Sequence, residues 1–285
     1  IREDRAQNII NLIDEGNTIP FIARYRKEMT GSCDDQVLRE FNDRLLYLRN
    51  LEKRKEEVAK SITDQGKMTE EIQKALDTAA TLTEVEDIYR PYKQKKKTRA
   101  SVAIEKGLQP LADLILAQDK NVDVRAEAEK YVDEEKGVAN ADDAIAGAKD
   151  IIAEIVSDDA NVRKKLRNLF MKNGEVQTKL VNADKEGAKT YEMYADYSEA
   201  VAEIKSHRVL AVNRGEKEDF LKVKVVFNDE IAKRIAGAGY LKDGGYSTQL
   251  VKEAVDDGYD RLIYPSIERE IRAALTESAS EQAIK

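Results

Sequence analysis

The sequence has 285 residues, enough for one large domain or two of ordinary size, and 36% of them are charged, against about 25% in an average globular domain. Its one cysteine, Cys33, excludes disulfide scaffolds and cysteine-built zinc sites within a chain, and no apolar run is long enough for a membrane span or a signal peptide. The net charge of −7 argues against a protein that coats nucleic acid by overall positive charge, and the composition predicts a soluble, cytoplasmic protein rich in helix.

Short helices are predicted to open the chain, because glycine and proline recur at positions that end and begin them. Pro20 fits the first turn of a helix that is predicted over residues 21–29. Asp34 or Asp35 can cap a long helix that reaches about residue 65, and its apolar residues fall largely on one face. The opposite face is crowded with charged residues, as on a solvated helix.

The next segment, residues 69–106, alternates short predicted helices with one basic loop. Thr69 starts a helix, and the capping-box spacing of residues 83–86 predicts another that ends near Pro91. The basic loop follows, and Thr98 can cap the helix after it.

The second half of the chain is predicted as helices around one β-hairpin. Periodic apolar residues and bounding Gly, Asn or Asp predict helices at about 122–132, 141–157, 159–173 and 185–194. Residues 208–214 and 220–227 have strand composition with a glycine-containing turn between them, which predicts the hairpin. Helices return after it and continue to the end. A soft boundary divides the chain into predicted domains 1–135 and 136–285.

Residues that could carry catalysis are few. His207 is the single histidine, so Ser-His or Cys-His catalysis would require it, and a structural role is more common for such a residue. Four adjacent Asp pairs could bind Mg²⁺, but three of them lie at predicted helix starts, where aspartate is a preferred cap. The glycines at 237–245 lack the spacing of nucleotide-binding loops. We therefore expect no enzyme, no metal site and no cofactor.

Two basic clusters are the candidate binding sites. The run from Tyr89 to Lys106 has seven positive residues against one negative, and its cations and tyrosines suit phosphate contacts and base stacking. The second cluster lies on the predicted helix that also carries Phe21 and Tyr25. The predicted nucleic-acid contacts are Lys93, Lys95, Lys96, Lys97 and Arg99 in the loop, and Arg24, Arg26 and Lys27 in the helix. The alternatives are a solvated loop with tyrosines as core anchors, and a helix that uses arginine and tyrosine for internal packing.

Long motifs also follow one another in the order of a known family. The most specific reads TIPFIARYRKEMTG over residues 18–31, and others read EDIYRPYK over 86–93, EGAK over 186–189 and RLIYPSIER over 261–269. Together they resemble the Tex family of bacterial transcription accessory proteins over essentially the whole chain. One departure is Ser32-Cys33, where the family usually has a Gly-Leu pair.

The resemblance implies a mainly α, multihelical region with a helix-turn-helix-like element. In the family, an RNase H-like domain, helix-hairpin-helix elements and an oligonucleotide-binding barrel follow this region. The chain opens without methionine and closes on a helical pattern, so we expect a segment of a longer protein that ends near the start of the RNase H-like domain. The resemblance also implies nucleic-acid binding and a link to transcription, with no catalytic residue that can be placed on this sequence.

These observations lead to one functional hypothesis and one alternative. The hypothesis is a helical scaffold of a nucleic-acid-binding, transcription-associated protein, with the loop at 89–99 contacting the phosphates of RNA or DNA. The alternative is a protein-interaction module that docks a component of the transcription machinery or later domains of its own chain. No membrane partner is expected.

Overall fold

The computed structural model describes residues 1–243 and 245–284, and it confirms the predicted mainly α, multihelical fold. Tertiary contacts divide the chain into two compact units, Ile1–Tyr89 and Arg90–Lys285. The division predicted at residues 135–136 falls inside the second unit instead. Asp133 and Val138 form an isolated antiparallel bridge across it. Two separately folding domains, 1–135 and 136–285, stay a prediction. No described helix is both long and apolar enough to cross a membrane.

The first unit contains six helices. They are α1 (Glu3–Asp14), α2 (Ile19–Tyr25), α3 (Lys27–Thr30), α4 (Asp35–Asp64), α5 (Glu70–Thr78) and α6 (Leu82–Tyr89). Helices α1, α2 and α4 bury a small apolar cluster of Ile9, Leu12, Ile22 and Leu38. Farther along α4, Leu51, Val58 and Ile62 are buried on the same helix, which confirms its predicted amphipathic character.

Side-chain caps explain where two of these helices begin. Asp34 caps α4 as predicted, because its carboxylate accepts a hydrogen bond from the backbone N–H of Val37 at 2.9 Å. The capping box predicted at 83–86 is displaced: the hydroxyl of Thr81 accepts a hydrogen bond from the N–H of Glu84 at 3.1 Å. Local capping chemistry therefore fixes helix starts to within two residues.

The second unit contains nine α-helices and one small sheet within its described residues. The helices are α7 (Arg99–Glu105), α8 (Gln109–Ala117), α9 (Val124–Glu129), α10 (Ala141–Ser157), α11 (Ala160–Asn173), α12 (Ser206–Lys217), α13 (Asp229–Gly237), α14 (Tyr246–Gly258) and α15 (Tyr264–Ile284). A π-helical segment, Tyr259–Ile263, joins the last two. The strands are β1 (Glu175–Leu180), β2 (Asp196–Ala200) and β3 (Leu221–Val226).

Helix α10 is the centre of the second unit. It buries nine of its 17 residues and packs against α7, α8, α9 and α14. Two glycines permit this close packing. A Cβ atom at Gly147 on α10 would lie 2.4 Å from Cδ1 of Leu108, and one at Gly258 on α14 would lie 2.9 Å from the carbonyl oxygen of Ala153 on α10. The neighbouring helices therefore approach α10 more closely than larger residues would allow.

The three strands form an antiparallel sheet in the order β2-β1-β3. Val176 of β1 lies opposite Val225 of β3, and both are buried, so one face of the sheet packs into the main core. The other face carries Lys179 of β1 and Lys222 and Lys224 of β3, which are exposed. The sheet thus has one apolar face and one solvated face.

The predicted β-hairpin is wrong in its first half. Residues 208–214 belong to α12, and the strand at Leu221–Val226 pairs with β1 instead. The prediction interprets the apolar residues of 208–214 as a strand. In the structure Val209, Val212 and Gly215 recur at helical spacing and form the buried face of α12. The helix predicted over 185–194 is a 3₁₀ helix, Ala188–Tyr194.

A buried arginine ties α10, α11 and α15 together. The side chain of Arg163 on α11 is fully buried, and its Nε donates to the carbonyl oxygen of Ser157 at 2.5 Å. Its Nη1 donates to the hydroxyl of Ser266 on α15 at 2.9 Å. A buried guanidinium is tolerated only when its donors are satisfied, so these contacts fix the C-terminal end of α10 in place.

Replacing Gly258 with alanine tests the close packing of α10 against α14. We expect Gly258→Ala to lower the free energy of unfolding by about 1–2 kcal/mol, because overpacking against a backbone carbonyl outweighs the gain in helix propensity. Urea denaturation measures the difference. Gly239→Ala is the control, since a Cβ there meets no atom within 4 Å. Equal stability of the two variants would contradict this packing.

Candidate nucleic-acid interface

The basic run is a loop at the surface of the second unit, as predicted. Residues Arg90–Tyr92 form one 3₁₀ turn, and α7 begins at Arg99. Between these points Lys93, Lys96 and Lys97 are exposed. We refer to residues 90–99 as the basic loop.

Two carboxylates at the C-terminal end of α10 hold the basic loop, Glu154 in the last turn and Asp158 directly after it. Lys95 donates hydrogen bonds to both of them, to Glu154 at 3.0 Å and to Asp158 at a short distance. The Nε atom of Arg90 donates to Asp158 at 3.1 Å, and the hydroxyl of Thr98 donates to Glu154 at 2.9 Å. The two acidic side chains are only 21% and 12% exposed, so solvent weakens these contacts less than it would on an open surface. We call Glu154 and Asp158 the carboxylate clamp.

The residues that are predicted to contact phosphate differ in whether the carboxylate clamp binds them. The ammonium of Lys95 is already bound, so a contact of this residue with phosphate stays a prediction that would require it to leave the clamp. Lys93, Lys96 and Lys97 form no hydrogen bond or ion pair with any residue that the structure describes. Arg99 is exposed and lies near Asp150, whose charge it partly balances. The three lysines are the cations with the most freedom to meet an anionic ligand.

Tyr89 is an anchor of the first unit rather than a free stacking residue. Its hydroxyl forms a hydrogen bond with the hydroxyl of Ser61 at 2.9 Å, and the guanidinium of Arg54 lies over its ring, 5.4 Å from the centroid. One face of the ring is therefore occupied. This geometry favours the core-anchor interpretation over base stacking for this tyrosine.

A groove between α7 and α10 begins where the basic loop ends. Its volume is about 530 Å³. Lys97, Arg99 and Lys106 line one side of it, and Asp143 and Asp150 of α10 line the other. Burial raises the pKa of Asp150, while the positive charges of two nearby arginines act in the opposite direction. The groove therefore has a positive side that continues the basic loop and an acidic side on α10.

The second predicted cluster lies in the first unit at a break between two helices. The helix predicted over 21–29 is interrupted at Arg26, whose backbone has φ −129° and ψ 35°, so α2 and α3 are separate. The guanidinium of Arg26 lies 5.1 Å from the ring centroid of Phe21, and that of Arg24 lies 5.9 Å from that of Tyr25. The rings of Phe21 and Tyr25 are 5.2 Å apart.

The two guanidinium groups lie near aromatic rings of their own unit, and the pair of Arg24 and Tyr25 is a surface contact because both residues are exposed. Lys27 is exposed, and it lines a groove of about 580 Å³ together with the acidic Asp34 and Asp35. Nucleic-acid contact by Arg24, Arg26 and Lys27 stays a prediction. Arg24 also lines this groove, so two cations face two carboxylates there, and the groove lacks the excess of positive charge that the basic loop has.

His207 and the paired aspartates lie near helix ends. His207 is exposed in the first turn of α12, and the neighbouring Ser206 donates its hydroxyl to Gln282 at 2.5 Å. Asp34 and Asp159 serve as helix caps. Within the described residues, no group of three or more His, Cys, Asp or Glu side chains is placed to hold a metal ion.

Comparison with known proteins yields two family models and several relatives. The model described as Tex central region-like matches residues 119–285, and the Tex-like protein N-terminal domain model matches residues 1–63. The basic loop lies between these two ranges. The protein YdcI of Bacillus subtilis is 44% identical over 100% of this chain and 40% of its own length.

Two further relatives carry names that describe a role. The transcriptional accessory protein Tex of Neisseria gonorrhoeae is 37% identical over 96% of this chain and 37% of its own length. The human S1 RNA-binding domain-containing protein 1 is 31% identical over 97% of this chain and 29% of its own length. The chain thus spans no more than two fifths of these three relatives.

Removing the carboxylate clamp should loosen the basic loop. In the double variant Glu154→Gln and Asp158→Asn, we expect trypsin to cut the loop at least about tenfold faster, since each charge-assisted hydrogen bond stabilises by about 1.5–3 kcal/mol. Asp142→Asn on the same helix is the control, because Asp142 is exposed and pairs with Arg125 instead. An unchanged cleavage rate with unchanged helix content would show that the clamp does not hold the loop.

Proposed function

Because the chain belongs to the Tex family, with the central-region model matching more than half of it, we propose that it is a non-catalytic helical scaffold in a nucleic-acid-binding, transcription-associated protein. Its direct contribution to binding is a set of phosphate contacts from the basic loop. These contacts position the nucleic acid without reading its base sequence.

This proposal rests on the exposure of Lys93, Lys96 and Lys97 and on their lack of an ion-pair partner. All three are exposed, and no described residue pairs with them. They lie on a loop that the carboxylate clamp holds at Arg90, Lys95 and Thr98. Since the loop backbone is already fixed, phosphate binding would cost less conformational entropy than it would on a free loop.

The net charge of −7 does not oppose this role. At physiological salt, charges more than about 8 Å apart are largely screened, so a phosphate group responds to the cations beside it. The clamp neutralises two positive residues of the loop with two carboxylates, and the three free lysines remain as an unbalanced positive patch. Counterion release from the bound strand would then favour binding in proportion to the number of phosphates contacted.

The names of the relatives support the same role. One relative is named a transcriptional accessory protein, and another is named for an S1 RNA-binding domain. We therefore place RNA first among the ligands to be tested, with DNA as the second. A protein-interaction module is the alternative, and in that case the three lysines would contact an acidic protein surface.

Neutralising the three free lysines should weaken nucleic-acid binding. For Lys93→Gln, Lys96→Gln and Lys97→Gln combined, we expect the affinity at low salt to fall at least about tenfold. We also expect the slope of log K against log salt to decrease in magnitude by about 2–3, because each lost phosphate contact removes about 0.7–0.9. Fluorescence anisotropy with a labelled RNA strand and a labelled DNA duplex measures both quantities.

The matched control removes the same charge from another surface. Lys179→Gln, Lys222→Gln and Lys224→Gln neutralise three exposed lysines on the solvated face of the sheet. We expect this variant to bind almost as well as the unmodified chain. Equal losses in the two triple variants would mean that the basic loop is not the site, and no binding by the unmodified chain would favour the protein-interaction alternative.

A further inference from the structure

The groove between α7 and α10 has the dimensions of a small-molecule site. Its volume of about 530 Å³ lies within the range of about 300–1,000 Å³ that is usual for ligand pockets. Gly147 is one of its lining residues, and Leu108 packs closely against this glycine. It also opens beside Lys97, the last lysine of the basic loop.

Charge is segregated across this groove. Lys97 and Arg99 lie at the end of the basic loop, while Asp143 and Asp150 lie on α10. A phosphate would be attracted to the first pair and repelled by the second. The groove as a whole therefore suits a ligand with an anionic part at the loop and an uncharged part that donates hydrogen bonds at α10.

Apolar side chains form part of the lining of the groove. Val102 and Ala103 of α7, Leu108, and Ala146 of α10 contribute to it. Such a surface favours contact with a flat ring through dispersion and loss of hydration. Amino groups on the edges of adenine, cytosine and guanine are hydrogen-bond donors, and a carboxylate can accept from them.

Asp150 is suited to that acceptor role. It is partly buried, and its nearest arginine nitrogen, on Arg261, is 3.8 Å away, which is too long for a good hydrogen bond. The side chain therefore keeps acceptor capacity toward the groove. A donor from a ligand would offset part of the cost of its burial.

We propose that this groove takes one unstacked base of a single-stranded nucleic acid whose phosphates lie along the basic loop. The inference rests on the proposed function, since the same loop supplies the phosphate contacts. It narrows the proposed ligand from nucleic acid in general to a single strand. A duplex keeps its bases stacked and paired, and extracting one would oppose binding, whereas a single strand offers unstacked bases freely.

Filling the groove tests this proposal without touching a charged residue. Ala146 is exposed on α10, so Ala146→Phe should fold normally while its ring occupies the base site. Ala273→Phe on α15 is the matched control, because Ala273 is also exposed and lies outside the groove. Circular dichroism verifies that both variants keep their helix content.

Affinities for labelled single-stranded RNA, single-stranded DNA and duplex DNA are then measured at one salt concentration. We expect Ala146→Phe to weaken binding of single strands at least about fivefold, the scale of one lost base contact, and to leave duplex affinity unchanged. A strand that carries 2-aminopurine should brighten on binding to the unmodified chain and not to this variant, because unstacking relieves its quenching. A loss confined to RNA or to single-stranded DNA would support the site and identify the sugar that it accepts.

The two proposals fail in different ways. If neutralising the three loop lysines weakens binding but Ala146→Phe binds single strands like Ala273→Phe, the base site is wrong and the phosphate contacts stand. The base site is also wrong if Ala146→Phe weakens duplex binding as much as single-strand binding. If the lysine variant has no effect on any ligand, both proposals are overturned.

Discussion

The close packing of α10 is the constraint on which the second unit depends. Because Gly147 and Gly258 remove side chains at the points of contact, α7 and α14 pack directly against this helix, and its apolar residues are buried in the main core. Arg163 then fixes the C-terminal end of α10 through Ser157. The carboxylate clamp lies at that same end, so the position of the basic loop follows from the packing of the helix beneath it.

The distribution of ion pairs, rather than the number of lysines, defines the candidate interface. The clamp binds Lys95 and Arg90 and leaves Lys93, Lys96 and Lys97 without a partner among the described residues. In the first unit, Arg24 lies over the ring of Tyr25 and Arg26 lies over the ring of Phe21. Both clusters lie beside a groove, but the six cations of residues 90–99 outnumber the two clamp carboxylates, whereas Arg24 and Lys27 share their groove with Asp34 and Asp35.

Sequence reasoning succeeded where local chemistry decides the structure. The cap at Asp34 and the basic loop before Thr98 follow from residues within a few positions of each other. It failed where distant residues decide. The partner of β3 is β1, which places Val225 opposite Val176, and not the adjacent segment 208–214, because that segment has the burial pattern of a helix. The contacts of Lys95 with Glu154 and Asp158 span 59 and 63 residues, and no local pattern in the sequence marks them.

The most direct test of the account is to map which lysines a bound nucleic acid protects. The chain is acetylated with and without a short RNA strand, and the modification of each lysine is followed by mass spectrometry. The account predicts strong protection of Lys93, Lys96 and Lys97, with unchanged reactivity of Lys179, Lys222 and Lys224 on the sheet. Protection of the sheet lysines, or equal reactivity of the loop lysines in the free and bound states, would contradict it.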